Sequence, residues 1–218
     1  MTVQSRPLRF VERATISFLR RIFVVAQGYY VPFDEEMIRS YGLLDFFAVL
    51  KDASVAWYKL LKHFGEKDAQ LLACYSSMFN GCRHCGYGHM YALNLLHFQE
   101  TGKLYPIAEE DILLHMRDTD DQILAWLLEQ LSDPVFARQR HLLTRLHAVC
   151  YGKVSTETEP DDAMLMHAQR FYAFWNECSV TADPITSPLG AVSKDKALIA
   201  KYHSARAVDR PGWKPLGR

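Results

Sequence analysis

Residues 66–100 determine the fold class, and they read EKDAQLLACYSSMF, then NG, then CRHCGYGHMYALNLLHFQE. Apolar residues recur with a helical period on both sides of the Asn80-Gly81 pair: Leu71, Leu72, Tyr75 and Met78 before it, Tyr91, Leu95 and Phe98 after it. An Asn-Gly pair commonly marks a turn. We therefore predict one helix over 66–79 and a second from Cys82 to about Glu100, ending at Gly102.

The same signals recur along the rest of the chain. Predicted helix starts are Asp34, Thr119, Asp133 with Pro134, and Glu159 with Pro160, and predicted stops are Gly65 and Gly152. Gly42 is a candidate break within the long apolar pattern of residues 37–62. Alternating β patterns bounded by turns are hard to find. We predict an all-α protein of six to eight helices.

Length and composition favour one globular domain. The chain has 218 residues, of which 49% are hydrophobic and 23% charged, so a large core is available. We predict a single all-α domain over residues 1–203 and an extended or disordered arm over 204–218. Because 25 basic residues balance 25 acidic ones, charge gives no reason to expect nucleic acid or an anionic membrane as a partner.

The N-terminal apolar stretch, residues 14–26, is interrupted by Arg20 and Arg21. It is too short and too charged to cross a bilayer or to form a signal-peptide core, so we expect an ordinary packed segment. Without an export signal, an odd number of cysteines argues against a disulfide framework. We expect a cytoplasmic protein whose close cysteine pair serves redox chemistry or binds metal.

The candidate pair is Cys82 and Cys85, followed by His89. On a helix, spacings of three and four residues align these side chains on one face. Unpaired N–H groups at the start of the helix favour an anion and lower a thiol pKa, as does a nearby imidazole. A dithiol at this spacing can close to a disulfide, and His89 is placed to act as a general base toward Cys85.

Of three other interpretations of this segment, zinc binding and an inert pair remain open, and haem attachment does not. Zinc could use Cys82, Cys85 and His89, with His84 as a further ligand, but the second Cys or His pair of a structural site is missing. A c-type haem would need His where Gly86 stands. The pair could also be inert and structural. We expect no metal and no cofactor; the other helical histidines should be surface or satisfied interior residues: His115, His141, His147 and His167.

Residues 78–89, MFNGCRHCGYGH, resemble the active-site signature of the alkylhydroperoxidase D-like group in the carboxymuconolactone decarboxylase superfamily. The resemblance covers the organisation of residues 35–130 and is specific over 66–100. It implies an all-helical bundle of that type, here with N- and C-terminal helical extensions. It also implies a homo-oligomer, either a trimer or a hexamer.

The resemblance further implies roles for individual residues. Cys85 would be the peroxidatic thiol, Cys82 the resolving thiol and His89 part of a proton relay. Spacing alone leaves the order of the thiols open, because His89 favours Cys85 while the helix dipole favours Cys82. His84 matches a position where some members of the group carry histidine.

The chain departs from the signature twelve residues before the first cysteine, where the family's usual glutamate is replaced by Gln70. Glutamine cannot accept a proton at neutral pH. Glu66 lies one turn earlier on the same face and could substitute, although it also suits a solvated first-turn acid.

These expectations combine into one functional hypothesis. It is a thiol-dependent peroxidase or disulfide oxidoreductase that reduces hydroperoxides and is restored by an external dithiol or a protein reductant. The alternative is a non-enzymatic helical module that responds to redox state or is stabilised by zinc.

Overall fold

The structure, a computed structural model, describes residues 7–28, 34–152, 159–179, 187–214 and 216. Across these residues it is all-α, without a β-strand, which confirms the predicted class. The described helices are α1 (Phe10–Gln27), α2 (Asp34–Tyr41), α3 (Leu43–Phe64), α4 (Glu66–Phe79), α5 (Arg83–Thr101), α6 (Glu109–His115), α7 (Asp120–Gln130), α8 (Ala137–Cys150), α9 (Asp162–Ser179) and α10 (Lys196–Asp209). Two 3₁₀ turns complete the set, Pro134–Phe136 and Ala191–Lys194.

The α4–α5 hairpin has the predicted bounds. Gly81 adopts a φ of +72° between the two helices, a conformation that glycine takes without strain. The backbone N–H of Cys82 then donates to the carbonyl of Ser77 at 2.8 Å and closes the turn. Gly102 ends α5 in the left-handed conformation, with a φ of 68°. The hairpin therefore forms from signals that are local in the sequence.

Helix α4 lies at the centre of the molecule. Each of its residues from 69 to 78 is buried, and the helix packs against α3, α5, α8 and α9. None of these ten residues is charged, so the helix can be enclosed on all sides. The main core forms around it from residues that include Leu60, Leu71, Leu72, Tyr75, Met90, Leu127, Leu142, Leu146 and Leu165.

Helix α10 corrects the predicted C-terminal arm. Residues 204–209, which we expected to be extended or disordered, form the last turns of this helix. Tyr202 and Arg206 lie one turn apart and are both buried, and the Arg206 guanidinium donates to the Tyr202 hydroxyl and to the carbonyl of Tyr105. An arginine bonded in this way can be enclosed, so its charge is not a sign of an exposed tail.

Helix α1 is amphipathic and packs against α2 and the 3₁₀ turn Ala191–Lys194. Ile16 and Leu19 are buried with Met37 and Ile38 of α2. This agrees with the packed segment expected from the sequence, although Phe18 stays exposed on another side of the helix. Within the described part of the chain, no helix has the length and apolar character needed to cross a membrane.

Candidate functional site

The two cysteines lie at the start of α5, facing the end of α9. Cys82 is the N-cap of α5, and its sulfur accepts a hydrogen bond from the backbone N–H of Cys85 at 3.4 Å. Both residues are free thiols, and the exposed fractions are 0% for Cys82 and 6% for Cys85. The dithiol is therefore held at a helix N-terminus but is almost closed to solvent.

Hydrogen bonds determine the acidity of this pair. The pKa of Cys82 is lowered to about 7, first by a hydrogen bond from the Cys85 thiol. Burial opposes this shift, while the Ser179 hydroxyl and the backbone N–H groups of Cys85 and His84 reinforce it. The contacts thus favour a thiolate on Cys82 near neutral pH, as the helix-dipole argument expects.

Ser179, the last residue of α9, contacts both sulfurs. Its Oγ lies 3.0 Å from the Sγ of Cys82 and 3.0 Å from the Sγ of Cys85. It also lies 2.8 Å from the carbonyl oxygen of Trp175. Sequence reasoning missed Ser179, because it is 97 residues from Cys82 and nothing local connects them. The available signal was polar residues at helical spacing on a mostly apolar helix: Tyr172, Asn176 and Ser179.

His89 is bonded to Gln70 rather than to an acid. Its Nδ1 lies 2.7 Å from the Gln70 Oε1, and the Gln70 Nε2 donates to the carbonyl of Leu189 at 3.0 Å. Because that carbonyl can only accept, it fixes the amide orientation and makes Oε1 the acceptor from Nδ1–H. The lone pair of the ring is then on Nε2. Gln70 therefore sets the tautomer that a base requires.

His89 is neutral in this setting. Burial, and to a lesser extent the nearby His84, lower its pKa to about 3. The aromatic rings of Trp57 and Tyr172 lie 6.2 and 6.3 Å from the imidazole. A neutral ring bonded through Nδ1 can accept a proton at Nε2, but at this pKa it releases the proton readily to water.

The other two predicted residues occupy different positions. His84 is buried beside the thiols, where its backbone N–H helps to lower the pKa of Cys82. Glu66 is exposed, and no hydrogen bond in the described structure joins it to His89 or Gln70. Its Oε1 lies 3.7 Å from where a Cβ on Gly190 would stand, beside the Gln70 amide. The substitution of Glu66 for the missing acid therefore stays a hypothesis.

Residues 187–190 contact the part of the site that contains Gln70 and Gly88. The Leu189 N–H donates to the carbonyl of Gly88 at 2.9 Å, so this segment is bonded directly to α5. A Cβ on Gly88 would stand 2.6 Å from the Leu189 Cγ, closer than atoms can approach. Gly88 is thus the residue that allows Leu189 to reach both α5 and Gln70.

Metal ligation receives no support from the arrangement of side chains. Among the described residues, no group of three or more His, Cys, Asp or Glu side chains could hold a metal ion. The histidines outside the site are mostly paired, as expected: His115 with Asp118, His141 with Glu159, and His147 with Tyr75 and Asp121. The buried Nε2 of His167 has no described partner.

The contacts around the sulfurs of Cys82 and Cys85 are the structural feature most relevant to thiol chemistry. The resemblance of residues 78–89 to the alkylhydroperoxidase D-like signature remains an interpretation of that segment. Comparisons with protein-family models, with curated proteins and with solved structures found no match to this chain.

Proposed function

We propose that this protein is a thiol-dependent peroxidase that reduces hydroperoxides by oxidising Cys82 and Cys85 to a disulfide. The observation that carries the proposal is the paired, hydrogen-bonded dithiol at the N-terminus of α5, in which the pKa of Cys82 is lowered to about 7. A thiolate, not a thiol, is the nucleophile that attacks a peroxide oxygen. The alkylhydroperoxidase D-like resemblance supports the same assignment.

The reaction balances within the dithiol and the peroxide. A thiolate attacks one peroxide oxygen, the O–O bond breaks, and the leaving alkoxide takes a proton to become an alcohol. The attacking sulfur keeps that oxygen and becomes a sulfenic acid. The second thiol condenses with it, an S–S bond forms and water leaves. The two sulfurs supply two electrons, and an external dithiol or protein reductant restores them.

The two sulfurs share one proton in the reactive state. The hydrogen bond from the Cys85 thiol places the resting charge on Cys82, whereas the resemblance assigns the attack to Cys85. Cys85 is the more exposed of the two. We propose that Cys85 attacks after passing its proton to the Cys82 thiolate, and that Gln70 acts by holding the His89 ring.

Enclosure of the site favours a small oxidant. Both cysteines are buried, and a protein disulfide could reach them only after the site opens. A hydroperoxide is much smaller than a protein disulfide, so it needs a smaller opening to reach the thiols. We also propose a trimer or hexamer, which the family resemblance implies, and a cytoplasmic location, which the odd number of cysteines favours.

The deciding experiment follows disulfide closure in time. The fully reduced protein is mixed with cumene hydroperoxide, and the Cys82–Cys85 disulfide is quantified by peptide mass spectrometry. We expect closure at least ~100-fold faster than oxidation of an unactivated thiol. Slow closure with both thiols still free would sink the peroxidase proposal and leave a non-enzymatic, redox-responsive role.

Two single variants then identify the attacking sulfur. In Cys82→Ser the attacking Cys85 should accumulate as sulfenic acid, which dimedone labelling detects. In Cys85→Ser little label should form on Cys82. Label on Cys82 instead would reverse the assigned order while keeping the peroxidase.

A further inference from the structure

Helix α9 is fastened to the site by a row of polar contacts. The Tyr172 hydroxyl donates to the carbonyl of Ala69 at 3.1 Å, and the Asn176 amide donates to the carbonyl of Ser76 at 3.2 Å, both on α4. Tyr172, Asn176 and Ser179 share one face of α9, since they are four and three residues apart. The first two contacts fix the helix, so the Ser179 hydroxyl is held against the sulfurs.

The hydroxyl of Ser179 can serve two protonation states of the dithiol. It has one O–H donor and two acceptor lone pairs. With both thiols protonated, it can donate to the Trp175 carbonyl and accept from both S–H groups. When one thiol ionises, the O–H can turn toward the thiolate. Both the dithiol and the thiol–thiolate pair can therefore hydrogen-bond to the Ser179 hydroxyl.

The disulfide loses this support. It carries no S–H donor, and a neutral disulfide sulfur is a much weaker acceptor than a thiolate. The hydroxyl that binds both sulfurs in the reduced protein thus has little to bind after closure. Stabilising the reduced form makes a disulfide more oxidising, which is the physical basis of redox poise.

We infer that Ser179 is a positioning residue that stabilises the reduced, anionic dithiol against the disulfide and so makes the pair both more acidic and more oxidising. This rests on the proposed function only in requiring that Cys82 and Cys85 can form a disulfide. The residue lies on α9, outside the segment whose sequence indicates thiol chemistry, and it completes the set of donors around Cys82.

The test compares Ser179→Ala with Ser179→Thr, which keeps the hydroxyl. Ser76→Ala is the matched control, because Ser76 is a buried serine whose Oγ has no described hydrogen-bond partner. Two quantities are measured: the pH profile of iodoacetamide alkylation of the reduced pair, and the equilibrium of the pair with glutathione buffers. Neither uses a hydroperoxide, so this inference and the peroxidase proposal can fail separately.

In Ser179→Ala the alkylation rate should fall, and the fraction of disulfide in a given glutathione buffer should rise. Loss of the donor raises the apparent thiol pKa by about one unit, so alkylation at pH 6.5 becomes about tenfold slower. The glutathione equilibrium shifts about tenfold toward the disulfide, which is about 30 mV toward a more negative potential. Ser179→Thr and Ser76→Ala should stay near the parent protein in both.

A packing defect would give a different result. A loosened site would expose the thiols, and alkylation would become faster rather than slower. Faster alkylation, an unchanged potential, or equal shifts in Ser179→Ala and Ser76→Ala would overturn the inference.

Discussion

Among the described cysteines, those within α4 and at the end of α8 and the one that caps α5 have thiol pKa values shifted in opposite directions. Cys74, in the middle of α4, is fully enclosed, and burial raises its pKa far above the usual range. Cys150, half-buried at the end of α8, has a pKa raised to about 12 by burial and by the charge of Asp120. Cys82 is as enclosed as Cys74, yet its pKa falls to about 7. Burial alone therefore does not determine the acidity of a thiol.

The difference lies in the hydrogen-bond donors that each position offers. Inside a helix, the backbone N–H groups are already bonded to carbonyls four residues earlier. At the first turn they are unpaired, so Cys82 receives donors that Cys74 cannot. Side-chain donors from Cys85 and Ser179 add to them. The lesson is that directed donors can outweigh the loss of water.

Glu109 is a second case in which burial prevails. It is fully enclosed at the first turn of α6 and accepts hydrogen bonds from Asn94 and Tyr202. Its pKa is nevertheless raised to about 7, first by burial and then by the like charge of Glu110. A helix N-terminus by itself is thus insufficient, and the balance between donors and enclosure has to be tested at each site.

The largest expected effect is a contrast in reactivity between the two cysteine regions. At pH 7 the reduced protein should be alkylated in the Cys82–Cys85 peptide at least ~100-fold faster than at Cys150, because thiolate content governs the rate. Native iodoacetamide labelling with peptide mass spectrometry measures both rates. Cys150 is the more exposed residue. If it is labelled before the Cys82–Cys85 peptide, solvent access rather than thiolate content controls the rate, and the comparison fails.

The second effect concerns the pH dependence of stability at Glu109. A carboxyl whose pKa is raised in the folded state stabilises the fold fully below its unfolded pKa and loses that contribution as the pH rises through about 7. In the Glu109→Gln variant, an amide that does not titrate replaces this carboxyl. The variant should match the parent near pH 5 and exceed its free energy of unfolding by about 2–3 kcal/mol at pH 8.

Urea denaturation at the two pH values measures this difference. The exposed Glu129→Gln serves as the control for replacing a carboxylate by an amide at the surface. A Glu109→Gln variant that is equally destabilised at both pH values would contradict the raised pKa.

The smallest effect separates the side-chain donor from the backbone donors at Cys82. Cys85→Ala removes the largest cause of the lowered pKa, whereas Cys85→Ser keeps a donor at the same position. We expect the apparent pKa of Cys82 to rise by about one unit in the alanine variant and less in the serine variant. The pH profile of Cys82 alkylation gives both values. Equal pKa values in the two variants would assign the effect to the backbone N–H groups.

The parts of the fold that could be predicted are those with local causes. The bounds of α4 and α5 follow from Asn80-Gly81 and Gly102, because turn and capping preferences act within a few residues. The dithiol and His89 were identifiable for the same reason. The position of Gln70, twelve residues before Cys82, could also be identified from the sequence. Its hydrogen bond to the Leu189 carbonyl could not, because the two residues are 119 positions apart.

The parts that were missed depend on contacts between distant segments. Ser179 meets the sulfurs only because α9 packs along α4, and hydrophobic period does not specify which helices become neighbours. The last turns of α10 were missed because Arg206 suggests an exposed tail until its buried partners are known. Sequence pattern thus indicates candidate reactive residues better than it indicates the distant residues that contact them.

The distance along the chain between Cys82 and Ser179 has a consequence during protein synthesis. At about 5–20 residues per second, a ribosome needs roughly 5–20 s to add the 97 residues that separate them. Over that interval the growing chain carries its cysteine pair without the serine hydroxyl and without the Leu189 carbonyl that orients Gln70. While it is most exposed, the nascent cysteine pair therefore lacks the Ser179 hydroxyl that helps to lower the pKa of Cys82, and gains it only when α9 docks.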